Sequence, residues 1–346
     1  MAVTKTDFGK TSDGKQVYLF KITNAKGEYV NIISYGATLQ SIVVKGSDGK
    51  LHDVLLGYDD IAGYENGTYF YGAFIGRCGN RIADGKFTLN GKTYQLAINN
   101  PPNSLHGGNK GFNTKVYDYT ISENSVTFTR TSPDGEENYP GNLDVSVTYS
   151  FDDDSCLKIE YNALSDADTV VNLTNHGYYN LDGEGSGTVY DQILQLDCPA
   201  MVPVNQNLIP TGEIRQLTAG DPYNFQTAKK IGQDIHTDDE QLKFANGYDQ
   251  TFLLPKHEGL YTFAKAKSEK TGITMQVATT LPGVQLYSAN FLEGKPGKHG
   301  HKYEQRGAFC LETQYVPNAI NCDKFASPVL KAGQKFHTVT TYTFNK

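Results

Sequence analysis

The chain has 346 residues, with 31 Lys and Arg against 38 Asp and Glu and a formal charge of −7 at pH 7. A mildly acidic chain without a basic block offers little to a nucleic-acid backbone, and nowhere do about 18 apolar residues run together as a membrane span requires. The 23 Tyr, 17 Phe and 35 Gly, with no Trp, favour short strands joined by tight turns.

The N-terminal stretch Met1 to Lys10 lacks a basic segment followed by an apolar run, so no secretory signal is expected. Residues 61–66 read as a short helix. Residues 87–96 alternate apolar and polar on both sides of Asn90-Gly91, the strongest short hairpin signal. Residues 126–130 alternate likewise ahead of Asp134-Gly135, and 145–151 run into acidic turn residues. Residues 227–235 are the second helix candidate. Alternation returns at 273–279 and 336–344. Turn signals recur about every ten residues, the spacing of all-β folds. There is no Pro-rich or Gly/Ser-rich linker and no shift in composition. The reading is a single all-β domain over residues 1–346, a large sandwich or barrel with few short helices.

The five cysteines, Cys78, Cys156, Cys198, Cys310 and Cys322, are scattered, odd in number and without a CxxC pair. That is poor material for a disulfide framework or a zinc site, and with no signal segment it points to the cytoplasm. Two motifs are set aside. Gly183-Glu184-Gly185-Ser186-Gly187 is not a nucleotide loop, because its spacing is wrong and no helix pattern follows. His299-Gly300-His301 lies among Lys295, Lys298 and Lys302 and reads as a solvated loop rather than a metal site. No GxSxG elbow is present, so serine hydrolysis has no support.

Four segments place polar and ionisable residues where the pattern otherwise looks buried. They are Gly79-Asn80-Arg81-Ile82, Ser104-Leu105-His106-Gly107-Gly108, Thr174-Asn175-His176-Gly177-Tyr178-Tyr179-Asn180-Leu181 and Cys310-Leu311-Glu312-Thr313-Gln314. Singly, each has a structural explanation. His106 could close a turn, His176 could be a satisfied core histidine, and Arg81 with Asp249 could be an ion pair. Glu312 is harder to dismiss, since a carboxylate after an apolar run is costly to bury without a reason. The residues alone give an all-β protein with a candidate polar site.

Together and in this order, with Ser34-Tyr35-Gly36-Ala37-Thr38-Leu39, Val54-Leu55-Leu56-Gly57-Tyr58, Gly247-Tyr248-Asp249 and Pro282-Gly283-Val284-Gln285, these segments resemble the aldose 1-epimerase (galactose mutarotase) family. The resemblance implies a galactose mutarotase-like supersandwich, a large antiparallel β-sandwich with an open cleft. It implies interconversion of the α and β anomers of free hexoses such as D-galactose and D-glucose. It casts Glu312 as general base and His176 as general acid, with Asn80, Arg81, His106, Tyr178, Asp249 and Gln285 contacting the sugar. The reaction needs two proton transfers, with no metal and no cofactor, and its partner is a small hexose. Monomer and dimer are both left open. Three other readings are weighed: a hexose-6-phosphate 1-epimerase, which needs a cationic pocket; a non-catalytic carbohydrate-binding protein, which needs no acid–base pair; and a glycoside hydrolase, which needs two flanking carboxylates.

Overall fold

The computed structural model describes residues 2–345. The hairpin predicted around Asn90-Gly91 forms, with Lys86–Leu89 paired to Lys92–Gln95. Asn90 and Gly91 have φ of 52° and 79°. Two left-handed central residues give the turn whose twist matches that of the flanking strands.

The alternating runs further along build a nine-stranded antiparallel sheet. Its middle is Leu143–Phe151, Cys156–Ser165, Lys335–Phe344 and Thr274–Thr279, hydrogen-bonded in that order. Every second side chain points inward. Val145, Val147, Tyr149 and Phe151 are buried on one strand, and Leu157, Ile159, Tyr161 and Ala163 on the next. They join an apolar core that runs from Phe20 to Phe344. Two five-stranded sheets and five two-stranded ribbons make up the rest of the β architecture among the described residues. One five-stranded sheet holds Ala2–Lys10 to Leu51–Asp53 in sequence order; the other has Asp249–Leu253, Gly283–Tyr287 and Cys310–Gln314 side by side.

Two α-helices are present among the described residues. Ile61–Asn66 is helical as expected, its first turn capped by the Asp60 carboxylate, which accepts from the Gly63 amide. The helix expected over 227–235 does not form. Lys229–Lys230 instead adds an edge strand to Ile193–Leu196, and the Gly232 amide donates to the Tyr190 carbonyl. An open sheet edge and an internal glycine outweigh a weak helical period. The second helix is Glu240–Ala245, capped by Asp239 and ended by Asn246 at φ 52°. No helix among the described residues is long and apolar enough to cross a membrane.

Arg77 anchors the loop beside the cleft. Its guanidinium is buried and donates to the carbonyls of Pro140 at 2.7 Å, Gly141 at 2.9 Å and Ser132 at 3.1 Å, and to the Ser132 hydroxyl at 2.7 Å. Burial lowers its pKa to about 10, so it stays charged at neutral pH. Arg77→Met keeps the bulk but strands those carbonyls, each costing about 1–3 kcal/mol when left unpaired. The expected loss is about 3 kcal/mol or more by urea unfolding. A loss under about 1 kcal/mol would mean that water takes over the guanidinium's role.

Candidate active site

Three neighbouring strands set the floor of the site through their register. Thr251, Gln285 and Glu312 lie opposite one another, and so do Asp249, Tyr287 and Cys310. With period-two alternation, all six share one face of the sheet. The other face carries Phe252, Val284, Leu286 and Leu311 into the core. The cluster of polar residues in otherwise apolar strands is therefore one side of a sheet whose back is core.

His176 follows the short strand Thr174–Asn175, which pairs with Phe74–Ile75. Its amide donates to the Ala73 carbonyl and its carbonyl accepts from the Gly72 amide. The imidazole is held between two rings, stacked on Tyr178 at 4.9 Å and on Phe70 at 6.0 Å, tilted by 12° and 16°. Its Nε2 lies 3.7 Å from Glu312 Oε1, and its Nδ1 faces Cys310 Sγ at 3.7 Å. Glu312 Oε2 is buried and has no protein hydrogen-bond partner.

Asn80 and His106 are both left-handed, with φ of 59° and 50°, and they lock together. The His106 amide donates to the Asn80 carbonyl, while His106 Nδ1 accepts from the Asn80 amide at 3.1 Å. Nδ1 being the acceptor, the ring proton sits on Nε2. Burial, with His176 and Arg81 adding to it, holds the ring's pKa well below the usual histidine value. His106 is therefore a neutral N–H donor. Arg81 donates through Nε to Asn100 Oδ1 at 3.1 Å, and its Nη1 lies 3.8 Å from Asp249 Oδ2. Asp249 Oδ1 accepts from Gln285 Nε2 at 2.7 Å.

These groups surround a cavity of about 460 Å³. Asn80, Arg81, His106, His176, Tyr178, Asp249 and Glu312 all line it. Gln285 does not; it lies behind Asp249 and orients that carboxylate. Tyr178, only 2% exposed, presents its face chiefly to His176. The sequence reading missed Phe70, Asn100, Leu208 and Tyr287, and also Phe291, whose ring is 48% exposed at the wall. Phe70 and Leu208 carry positive φ, 58° and 57°, a strain that gathers at functional sites and leaves no mark on a sequence. A larger groove of about 540 Å³ crosses the outer face of the nine-stranded sheet among Asp118, Arg130, Asn162 and Lys335. It has no imidazole–carboxylate pair.

Burial governs the charge state of the floor. It pushes the Glu312 carboxyl well above the ordinary range, Asp249 adding to this and Arg81 opposing it. It raises Asp249 too, against Arg81 and the Gln285 hydrogen bond. It lowers His176 to about 3. Neutral His176 with protonated Glu312 holds the same single proton as the ion pair does. The couple can thus exchange forms through a bound molecule without exchanging a proton with solvent. His106, His176 and Glu312 offer atoms within 4.8 Å of one another, but His106 has one ring nitrogen bonded to the Asn80 amide and the other protonated. It serves here as a donor, not a ligand.

The cleft sets a buried imidazole against a carboxylate, a pairing suited to moving a proton, and similarity to known proteins says in which class of enzyme it sits. A family model described as aldose 1-epimerase matches residues 18–343. The chain is 40% identical to a galactose mutarotase of Sus scrofa over all of this chain and 99% of the relative. It is 35% identical to an aldose 1-epimerase of Escherichia coli K12, covering 96% of both. A crystal structure of a GalM/aldose epimerase homologue from C. elegans superposes with a TM-score of 0.88 at 31% identity, covering 94% of this chain and 98% of that one. The chain belongs to the aldose 1-epimerase family, and the expected supersandwich is the fold it has. It is an aldose 1-epimerase, interconverting anomers by acid–base ring opening and closure.

Proposed function

We propose that the chain acts as a single domain on free hexoses such as D-galactose and D-glucose in the cytoplasm, with Glu312 as base and His176 as acid. The observation that carries the assignment is the 3.7 Å approach of His176 Nε2 to a Glu312 carboxylate whose other oxygen is unpaired. O1 and O5 of a pyranose are bonded to the same carbon. A base for one and an acid for the other must therefore converge closely. Five scattered cysteines without a CxxC pair fit a reducing compartment.

In the productive complex Glu312 is ionised and His176 protonated. Glu312 takes the proton from the C1 hydroxyl, the C1–O5 bond breaks, and His176 Nε2 delivers its proton to O5. The open-chain aldehyde turns about C1–C2. The C5 hydroxyl then adds to the other carbonyl face, His176 recovers its proton and Glu312 returns its own to O1. The open-chain stage leaves Glu312 protonated and His176 neutral, the form that burial favours. Low dielectric thus lowers the high-energy stage relative to the cyclic ones. His106 Nε2–H and Arg81 donate to sugar oxygens beside Asn80, and Asp249 Oδ2 accepts from a hydroxyl. Polarimetry of freshly dissolved α-D-galactose tests the reading. Faster decay to an unchanged final rotation is expected; no acceleration with this sugar or with α-D-glucose would overturn it.

The couple works with one proton. A second proton is taken up by His176, whose pKa burial lowers to about 3. The acid limb of kcat/KM is therefore expected near pH 3, below the value of about 4.3 at which an ordinary glutamate protonates. A stopped-flow polarimetric profile placing that limb at about 4.5 or above would show the two groups titrating independently.

A 6-phosphate substrate finds less support. Arg77 is bound up in carbonyls away from the cleft. Arg81 is the sole Arg or Lys among the described residues that line the cavity, and two carboxylates line it as well.

A further inference from the structure

The two motifs that the sequence reading sets aside meet in space. Glu184, from the glycine-rich turn, lies between His299 and His301. Glu184 Oε1 is 2.8 Å from His299 Nδ1 and 2.9 Å from His301 Nδ1. We propose that Glu184, His299 and His301 form a binding site for a divalent transition-metal ion of the zinc class, apart from the sugar cleft.

Each of the three residues offers one ligand atom, and the atoms all lie within 4.8 Å of one another. Two imidazoles and a carboxylate are the donor set of borderline divalent metals, with a fourth position left to water. Bond lengths of about 2.0–2.2 Å require the two Nδ1–Oε1 separations to open only slightly. The histidine side chains are 62% and 47% exposed, so they can make that adjustment and an ion can reach them. The carboxylate is buried and already oriented, because its Oε2 accepts from the Tyr303 hydroxyl at 2.8 Å. That is the outer support a metal-ligating carboxylate needs. Gly185 completes the cradle: a Cβ there would lie 2.4 Å from His301 Nδ1, so a side chain would displace the ligand.

The ion would clip the turn at 183–187 to the hairpin Lys295–Pro296 and Lys302–Tyr303. Tyr303 packs edge-on against Tyr71 at 5.5 Å, Tyr71 against Tyr178 at 4.9 Å, and Tyr178 stacks on His176. The site therefore secures the outer layer of the aromatic wall behind His176.

The test is calorimetric titration of the full chain, stripped with EDTA, with zinc chloride in a non-chelating buffer. One saturable equivalent is expected for the parent protein, with a rise in Tm. The exposed double variant H299A/H301A should bind about 100-fold more weakly or worse and lose the Tm response. H176N, altered in the cleft, should retain the equivalent. Absence of saturable binding by the parent protein would overturn the proposal. So would unchanged binding by H299A/H301A, or loss of binding in H176N with its fold intact, since either places the ion elsewhere.

Discussion

Glu312→Gln lowers the turnover of α-D-galactose by about 10²–10⁴-fold, the usual contribution of a positioned acid–base group, and leaves the protein folded. Gln is nearly isosteric with Glu but cannot accept the C1 hydroxyl proton. Stability should separate loss of the base from loss of the fold. The folded-state pKa of Glu312 is raised, so the folded chain holds this proton more tightly than the unfolded one. The resulting stabilisation is complete below the unfolded pKa of about 4.3 and is lost as pH rises through the folded value. Gln has no such slope. The variant should be at least as stable as the parent at pH 8 by urea unfolding, while its polarimetric rate collapses. A near-parental rate would remove Glu312 from the mechanism.

His176→Asn is expected to reduce turnover by a similar factor. Asparagine cannot carry the proton that O5 receives, and the stacking on Tyr178 and Phe70 is lost at about 0.5–1.5 kcal/mol of stability. Because the two residues pass one proton between them, E312Q/H176N should be little slower than the worse single variant. Additive losses in the polarimetric rate would show that they act at separate steps.

The alternating strands were legible because period two survives wherever one sheet face is core, as in Leu143–Phe151. The segment 227–235 misled because edge pairing is decided by a distant partner, Ile193–Leu196. In the site, Glu312 stood out through burial pattern and family resemblance, and His176 through the resemblance alone. Gln285 was identified, but its place behind Asp249 depends on cross-strand register, which no single strand reveals. Phe70 belongs to no motif and reaches His176 only through its left-handed backbone. Glu184 is 115 residues from His299, so neither segment hinted at the other.

The strand Lys335–Phe344 lies between Cys156–Ser165 and Thr274–Thr279. During synthesis the nine-stranded sheet must wait for Lys335–Phe344, which follows all of its other strands in sequence, since its middle position stays empty until then. Pairings this far apart in sequence form slowly, and the nascent chain meanwhile exposes two unpaired strand edges carrying Leu157, Ile159, Tyr161, Met275 and Val277, which invite association with other chains. A break just before Lys335 would therefore divide the sheet through its centre instead of trimming a border.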